Sequence, residues 1–90
     1  MFVAVVGEFS HDDHKAAAHE LFLQYGLKQI MATVYESSTI KENTLARLKR
    51  DIDRVTDYYD NVRFYQYPLD ETFVVTSLTR KKWRRTLVEP

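Results

Sequence analysis

The residues best suited to bind a ligand through charge form one run near the end of this 90-residue chain. Five of the six positions from 80 to 85 are basic, namely Arg80, Lys81, Lys82, Arg84 and Arg85, and Trp83 interrupts them. Lysine and arginine neutralise phosphates and release condensed counterions, so local charge matters more than net charge. The formal net charge is zero, and such a segregated basic run predicts an anionic partner, most often a nucleic acid. A solvated tail is the alternative.

A second basic set follows a segment of helical periodicity. Arg47, Arg50 and Arg54 are spaced i, i+3 and i+7, which puts them on one side of a helix where they can track a phosphate backbone. Acidic residues such as Asp51 are interleaved, so ion pairs within the helix are the alternative for some of them. Arg63, on a predicted strand, either faces a groove between protomers or pairs with an acid.

Two histidines and two acids stand together at residues 11–14. His11 and His14 are at i and i+3 with carboxylates between them, a spacing that suits a divalent metal on the first turn of a helix. An exposed helix start, with acids that complement the helix dipole, is the simpler interpretation.

Composition limits the class of protein. Ninety residues with 44% hydrophobic content predict one domain with a single, marginally sized core, for which dimerisation would add burial. There is no cysteine, so disulfides and thiolate metal sites are excluded. The apolar run at residues 2–6 is too short for a signal peptide or a membrane span. We expect a soluble, cytoplasmic protein.

The order of elements indicates the fold. An apolar strand at 2–6 precedes a helix capped by Ser10 and stopped by Gly26. One strand, or two, follows over 28–36, and then a helix with a capping-box pattern at Thr39 and Glu42, where Asn43 is a competing start. Strands are predicted at 62–67 and 72–78, with a turn at 68–71 between them. This order predicts an α+β ferredoxin-like sandwich over 1–79, with both helices on one face, and a basic C-terminal segment over 80–90.

The second face of that sheet then needs a cover. We expect it to carry Met31, Thr33, Tyr35, Tyr65 and Tyr67, a set too apolar to be left fully wet. A two-fold homodimer that stacks the two sheets would bury it, and the last strand would extend the partner's sheet edge. Folding of the basic segment over its own sheet is the alternative.

Four short motifs follow one another along the predicted elements: Val5-Val6-Gly7-Glu8 at the end of the first strand, Thr33-Val34-Tyr35-Glu36, Leu45-Ala46-Arg47-Leu48-Lys49 and Val62-Arg63-Phe64-Tyr65. Together they resemble the motifs of a known family, CRISPR-associated protein 2, the small subunit of the CRISPR adaptation machinery. The similarity covers about 80 residues in matching order. The resemblance implies a ferredoxin-like homodimer that binds duplex DNA and bridges the integrase subunits during spacer acquisition.

The resemblance also implies a candidate catalytic residue. Some members of the family are Mg²⁺-dependent nucleases that act on DNA or RNA, and they use an aspartate at the end of the first strand from each protomer. Here Gly7-Glu8 replaces the usual aromatic-Asp pair, so Glu8 is the matching metal ligand. Glutamate can bind Mg²⁺, but its longer side chain shifts the carboxylate by about 1 Å, a displacement that can cost on the order of 10²-fold in rate.

Three hypotheses therefore stand. The first is a scaffold that binds DNA, needs no metal, and uses the basic run, Arg47, Arg50, Arg54 and Arg63. The second is an Mg²⁺-dependent endonuclease centred on Glu8. The third is a ligand-sensing ferredoxin-like regulatory domain, for which DNA binding would be absent or insensitive to salt.

Overall fold

A single antiparallel sheet of six strands and two helices make up the computed structural model, which describes residues 1–67 and 72–88. The elements are β1 Phe2–Glu8, α1 Asp12–Gln24, β2 Lys28–Met31, β3 Val34–Ser37, α2 Glu42–Val55, β4 Asn61–Tyr67, β5 Phe73–Thr79 and β6 Lys82–Val88. The predicted α+β class is confirmed. The turn predicted at 68–71 lies outside the described residues. In the described part of the chain, neither helix has the length and apolar character to cross a membrane.

The strand order follows from the two helical crossovers. The sheet runs β2-β3-β1-β4-β5-β6, and each helix joins two strands that have one other strand between them. The first four strands therefore have an order that is compatible with a ferredoxin-like sandwich. β5 and β6 extend the sheet beyond β4. Residues 82–88, which include Lys82, Arg84 and Arg85 of the basic run, therefore form a strand of the same sheet.

The segment 28–36 is a hairpin rather than a continuous strand. β2 and β3 pair antiparallel, with a turn at Ala32 and Thr33. The turn reverses the alternation of side chains, so Tyr35 faces the helices. It is 6% exposed, and its ring centroid lies 4.5 Å from that of Phe22 of α1. Placing Tyr35 with Met31 on the second face of the sheet was therefore wrong, because the turn resets which side each residue faces.

The helix ends agree with the sequence only at the end of α1. Gly26 has a φ of +89°, and the Leu27 N–H donates to the Phe22 carbonyl at 2.9 Å, the pattern of a Schellman stop. The predicted N-caps are wrong. His11 and Lys41 occupy the two N-cap positions, and neither makes a capping hydrogen bond through its side chain.

Both helices pack on the same face of the sheet. Ala18 and Phe22 of α1 belong to one core cluster with the apolar stripe of α2 and with alternate residues of the central strands. The strand members are Val3, Val5, Tyr35, Val62, Phe64 and Leu78. The other face, which we call the open face, carries the intervening residues of these strands and no described helix.

Candidate nucleic-acid interface

The basic run is divided between the two faces of the sheet. Arg80 and Lys81 form the turn of the β5–β6 hairpin, and both have positive φ angles of 54° and 62°, as a two-residue type I′ turn requires. Beyond the turn, β6 alternates. Because Trp83 pairs with the buried Leu78, Trp83 and Arg85 face the helices and Lys82 and Arg84 lie on the open face.

One member of the run is committed to the fold. Lys81 donates to the side chain and the backbone carbonyl of Asp53 on α2, and the Trp83 indole N–H lies 3.3 Å from the same carboxylate. The hydrogen bond from Lys81 is the main cause that holds the pKa of Asp53 below its ordinary value. Asp53 therefore clamps the hairpin to the helix layer.

Four other basic side chains share the open face and the hairpin turn. Arg63 of β4 and Arg84 of β6 flank Ser77 of β5 in adjacent register, and Arg80 and Lys82 lie beside them; we call these four residues the basic patch. All four are exposed, and none forms an ion pair with a carboxylate of the described residues. The Arg63 guanidinium lies 5.4 Å from the centre of the Tyr65 ring, which orients it across the sheet surface.

A shallow depression accompanies the basic patch. It has a volume of about 500 Å³ and is bordered by Tyr58, Ser77, Thr79, Arg80, Lys82 and Arg84. Hydroxyl groups and cations together are the usual protein donors to phosphate oxygens. The arrangement is therefore chemically suited to a phosphate backbone.

Polarity changes along the strands of the open face. Across β1, β4, β5 and β6, the cross-strand rows towards the hairpin turn are Val6, Arg63, Ser77, Arg84 and Glu8, Asn61, Thr79, Lys82. Towards the other end they are Ala4, Tyr65, Val75, Thr86 and Phe2, Tyr67, with Phe73 opposite Val88. We call these two regions the basic half and the aromatic half. A phosphate backbone and an apolar partner would thus occupy different parts of the same face.

The remaining predicted contact residues lie elsewhere. Arg47, Arg50 and Arg54 are exposed on the helix layer, on the opposite side of the sheet from the basic patch. Arg54 also pairs with Asp51 at 3.3 Å, as the alternative interpretation of the interleaved charges predicted. The structure thus divides the nine predicted nucleic-acid contacts between two surfaces.

Glu8 is exposed at the end of β1, opposite Asn61 of β4. Beside it is a depression of about 240 Å³ that Phe9, Lys15 and Thr33 also line. Glu8 belongs to none of the clusters of three or more potential metal ligands found among the described residues. Since Mg²⁺ is commonly held by one or two carboxylates together with substrate phosphates, the Glu8 carboxylate would fit that ion only together with the phosphates of a bound nucleic acid.

Gly7 has a packing role beside Glu8. A Cβ atom at this position would lie 2.6 Å from the Phe9 ring, which is far inside van der Waals contact. The missing side chain therefore makes room for Phe9, which packs against the core.

A cluster that the sequence did not predict joins His14 to Asp57 and Asp60, with ligand atoms within 4.8 Å of one another. Asp60 is 1% exposed. It accepts hydrogen bonds from the Ser10 N–H at 2.7 Å, the Ser10 hydroxyl at 2.8 Å and the Asp57 N–H at 2.8 Å, and His14 Nδ1 lies 2.8 Å from it. These four contacts use the acceptor capacity of the carboxylate, so the cluster ties the start of α1 to the segment after α2.

The acids within the 11–14 motif are not the partners of its histidines. His11 Nε2 lies 3.9 Å from Asp57, and His14 contacts Asp60. The two histidines thus contact acids more than 40 positions away and do not form the metal cluster with Asp12 and Asp13 that the sequence suggested. His19 contacts the Tyr35 hydroxyl at 2.6 Å, on a different part of α1.

Comparisons with known proteins do not supply a function. No protein-family description, curated protein or solved structure matches this chain. The case for a function therefore depends on the geometry described above and on the sequence motifs.

Replacing Asp60 tests the buried cluster. We expect Asp60→Ala to lower the free energy of unfolding by about 3 kcal/mol at neutral pH, because four donors lose a buried charged acceptor. Burial raises the pKa of Asp60, but the hydrogen bonds from Ser10, Asp57 and His14 outweigh it, so the pKa is below its ordinary value of 3.8.

The pH dependence of that loss follows from the sign of the shift. Stability contributed by a carboxylate with a depressed pKa is complete above its unfolded-state pKa and is lost as pH falls through the folded-state value. The difference between wild type and Asp60→Ala should therefore shrink below about pH 4 in urea denaturation. Asp13→Ala, which removes an exposed acid, is the matched control, and an equal loss there would contradict the assignment.

The Asp53 clamp is tested by a double-mutant cycle. Lys81→Ala and Asp53→Ala should be coupled by about 0.5 kcal/mol, since the pair is partly exposed. The fluorescence of Trp83, the only tryptophan of the chain, should shift to longer wavelength in Asp53→Ala, because release of the hairpin from α2 exposes the indole to water. Lys82→Ala, on the opposite face of the same strand, should show no coupling with Asp53→Ala.

Proposed function

We propose that this protein is a homodimeric scaffold that binds duplex nucleic acid through the basic half of its open sheet face. One observation carries the proposal: four exposed cations, Arg63, Arg80, Lys82 and Arg84, share one surface without a carboxylate partner among the described residues. Cations that fold stability requires are normally paired, as Lys81 is. A cluster left unpaired on one face is the electrostatic footprint of a polyanion site.

The spacing of these cations suits a backbone rather than a base. Arg63 and Arg84 are two strands apart, which is about 10 Å between their backbones, so their long side chains can reach separate phosphates. The patch lies on a broad sheet surface, and neither described helix accompanies it for insertion into a major groove. Binding should therefore depend on phosphate contacts and vary little with base sequence.

The aromatic half supports dimerisation. Its rings form a contiguous surface, with the Tyr65 and Phe73 centroids 6.4 Å apart and those of Tyr67 and Phe73 6.3 Å apart. Phe2 and Tyr67 remain 40% and 46% exposed. A second copy stacked on this half would bury the rings by a self-complementary two-fold contact and leave the two basic halves available to one duplex.

We place this scaffold in CRISPR adaptation in the cytoplasm, where it would bridge the integrase subunit. The four sequence motifs support this role, together with a strand order compatible with the ferredoxin-like arrangement. The second candidate is an Mg²⁺-dependent endonuclease. It is favoured by the position of Glu8 in the same cross-strand row as Lys82, where a carboxylate would lie beside a bound phosphate.

Neutralising the basic patch tests the nucleic-acid site. We expect Arg63→Gln combined with Lys82→Gln and Arg84→Gln to weaken binding of a short duplex DNA by at least tenfold and to reduce the slope of log K against log salt by about 2 to 3. The matched control neutralises Arg47, Arg50 and Arg54 on the opposite layer and should change both quantities little. Fluorescence anisotropy over a salt series measures them.

The outcomes separate the candidates. Equal losses in the two triple variants would contradict the assignment of the site, and salt-insensitive binding, or none, would favour a ligand-sensing domain. Cleavage of DNA or RNA that requires Mg²⁺ and disappears in Glu8→Ala would establish the nuclease instead of the scaffold.

The dimer has its own test. Tyr65→Glu puts a charge in the middle of the aromatic half, between Ala4 and Val75, so we expect it to convert a dimer into a folded monomer. Light scattering measures the mass, and circular dichroism verifies the fold. Leu23→Glu, at an exposed apolar position of α1, should leave the mass unchanged; a monomeric wild type would refute the dimer.

A further inference from the structure

A second polar site lies between α2 and the sheet, on the side away from the basic patch. It is a pocket of about 180 Å³ lined by Glu42, Leu45, Ala46, Lys49, Gln66, Thr76 and Arg85. Its volume is several times the share of one water molecule in the liquid, roughly 30 Å³, so a small polyatomic ion fits.

The ammonium group of Lys49 lies in this pocket and donates hydrogen bonds to two uncharged side chains. Its Nζ donates to Gln66 Oε1 at 2.7 Å and to Thr76 Oγ1 at 3.2 Å, and it lies 5.4 Å from the centre of the Phe64 ring. An ammonium group has three N–H donors. The third has no partner among the described residues, and no described carboxylate lies within ion-pair distance of Lys49.

Arg85 adds a second cation to the same pocket. It faces the helix layer because β6 alternates, and it too lacks an ion pair with any described carboxylate. Burial, and then the charge of Arg85, lower the pKa of Lys49 to about 8, while Glu42 acts in the opposite direction. The two cations therefore repel each other in a concave, partly desolvated site.

We propose that this pocket binds a small oxyanion, of the phosphate or carboxylate class, between Lys49 and Arg85. The free N–H of Lys49 and the planar guanidinium fork of Arg85 supply charge-assisted donors from two sides. An anion between Lys49 and Arg85 would be attracted by both side chains and would offset the repulsion between them. The sheet separates this pocket from the basic patch, so an anion in the pocket and a nucleic acid on the patch would contact different residues.

The test uses inorganic phosphate as the probe and the full chain labelled with ¹³C-lysine. At constant ionic strength, phosphate should raise the pKa of Lys49 from about 8, because a nearby anion favours the charged form. NMR titration of the Lys49 side chain reports this shift and the dissociation constant. A parallel titration with acetate distinguishes a phosphate site from a carboxylate site, and a response to either probe supports the proposal.

Three surface variants assign the site without disturbing the core. Arg85→Gln should weaken phosphate binding about tenfold, while Lys82→Gln, on the opposite face of β6, should leave it unchanged. Glu42→Gln should strengthen binding several-fold because Glu42 is the only acid among the described residues that line the pocket. A Lys49 signal that moves with neither anion, or moves equally in wild type and Arg85→Gln, would overturn the proposal.

Discussion

The alternation of side chains along β6 is the constraint on which the charged surfaces of this protein depend. A strand presents successive residues to opposite faces, and both described helices lie on the same face of this sheet. The basic run is therefore divided into residues that contact α2 or its pocket and residues on the open surface. Lys81 and Trp83 contact Asp53 and so hold the hairpin against α2. Lys81 is paired in this way, whereas Arg80, Lys82 and Arg84 have no carboxylate partner among the described residues.

The same clamp connects stability to the proposed site. Arg80 and Lys81 adopt left-handed backbone conformations that cost non-glycine residues roughly 1 to 2 kcal/mol each. The contacts of Lys81 and Trp83 with Asp53 offset part of this cost. Three of the four residues of the basic patch, Arg80, Lys82 and Arg84, are consequently carried on a hairpin that is held at its turn, and Arg63 of β4 lies across Ser77 from Arg84.

Buried polar groups in this protein differ in how completely they are satisfied. Asp60 has a full set of donors and a depressed pKa, which is typical of a structural carboxylate. Lys49 has two neutral acceptors, a neighbouring cation and an adjoining pocket. A charged group with an unused hydrogen-bond donor beside an open pocket is typical of a binding site, whereas a fully hydrogen-bonded group is typical of a structural contact.

The sequence by itself determined the elements whose signals are local. The second helix, the stop of the first helix at Gly26 and the strand at 62–67 follow from neighbouring residues, and the structure confirms these predictions. The N-cap predicted at Ser10 failed because its hydroxyl donates to Asp60, 50 positions away, and no local pattern reveals such a partner. The sequence does not distinguish one strand from two over 28–36, because alternation of side chains alone does not locate a turn.

Only the tertiary structure decided what each charged residue does. The sequence identified the basic run and Glu8, but the pairing of β6 with β5 determined which face each cation occupies. Lys49 appeared in the sequence only as part of a helix motif, since its partners Gln66, Thr76 and Arg85 come from three separate strands. The physical reason is that burial and charge environment are properties of contacts between distant segments, whereas residue type and periodicity are properties of the chain.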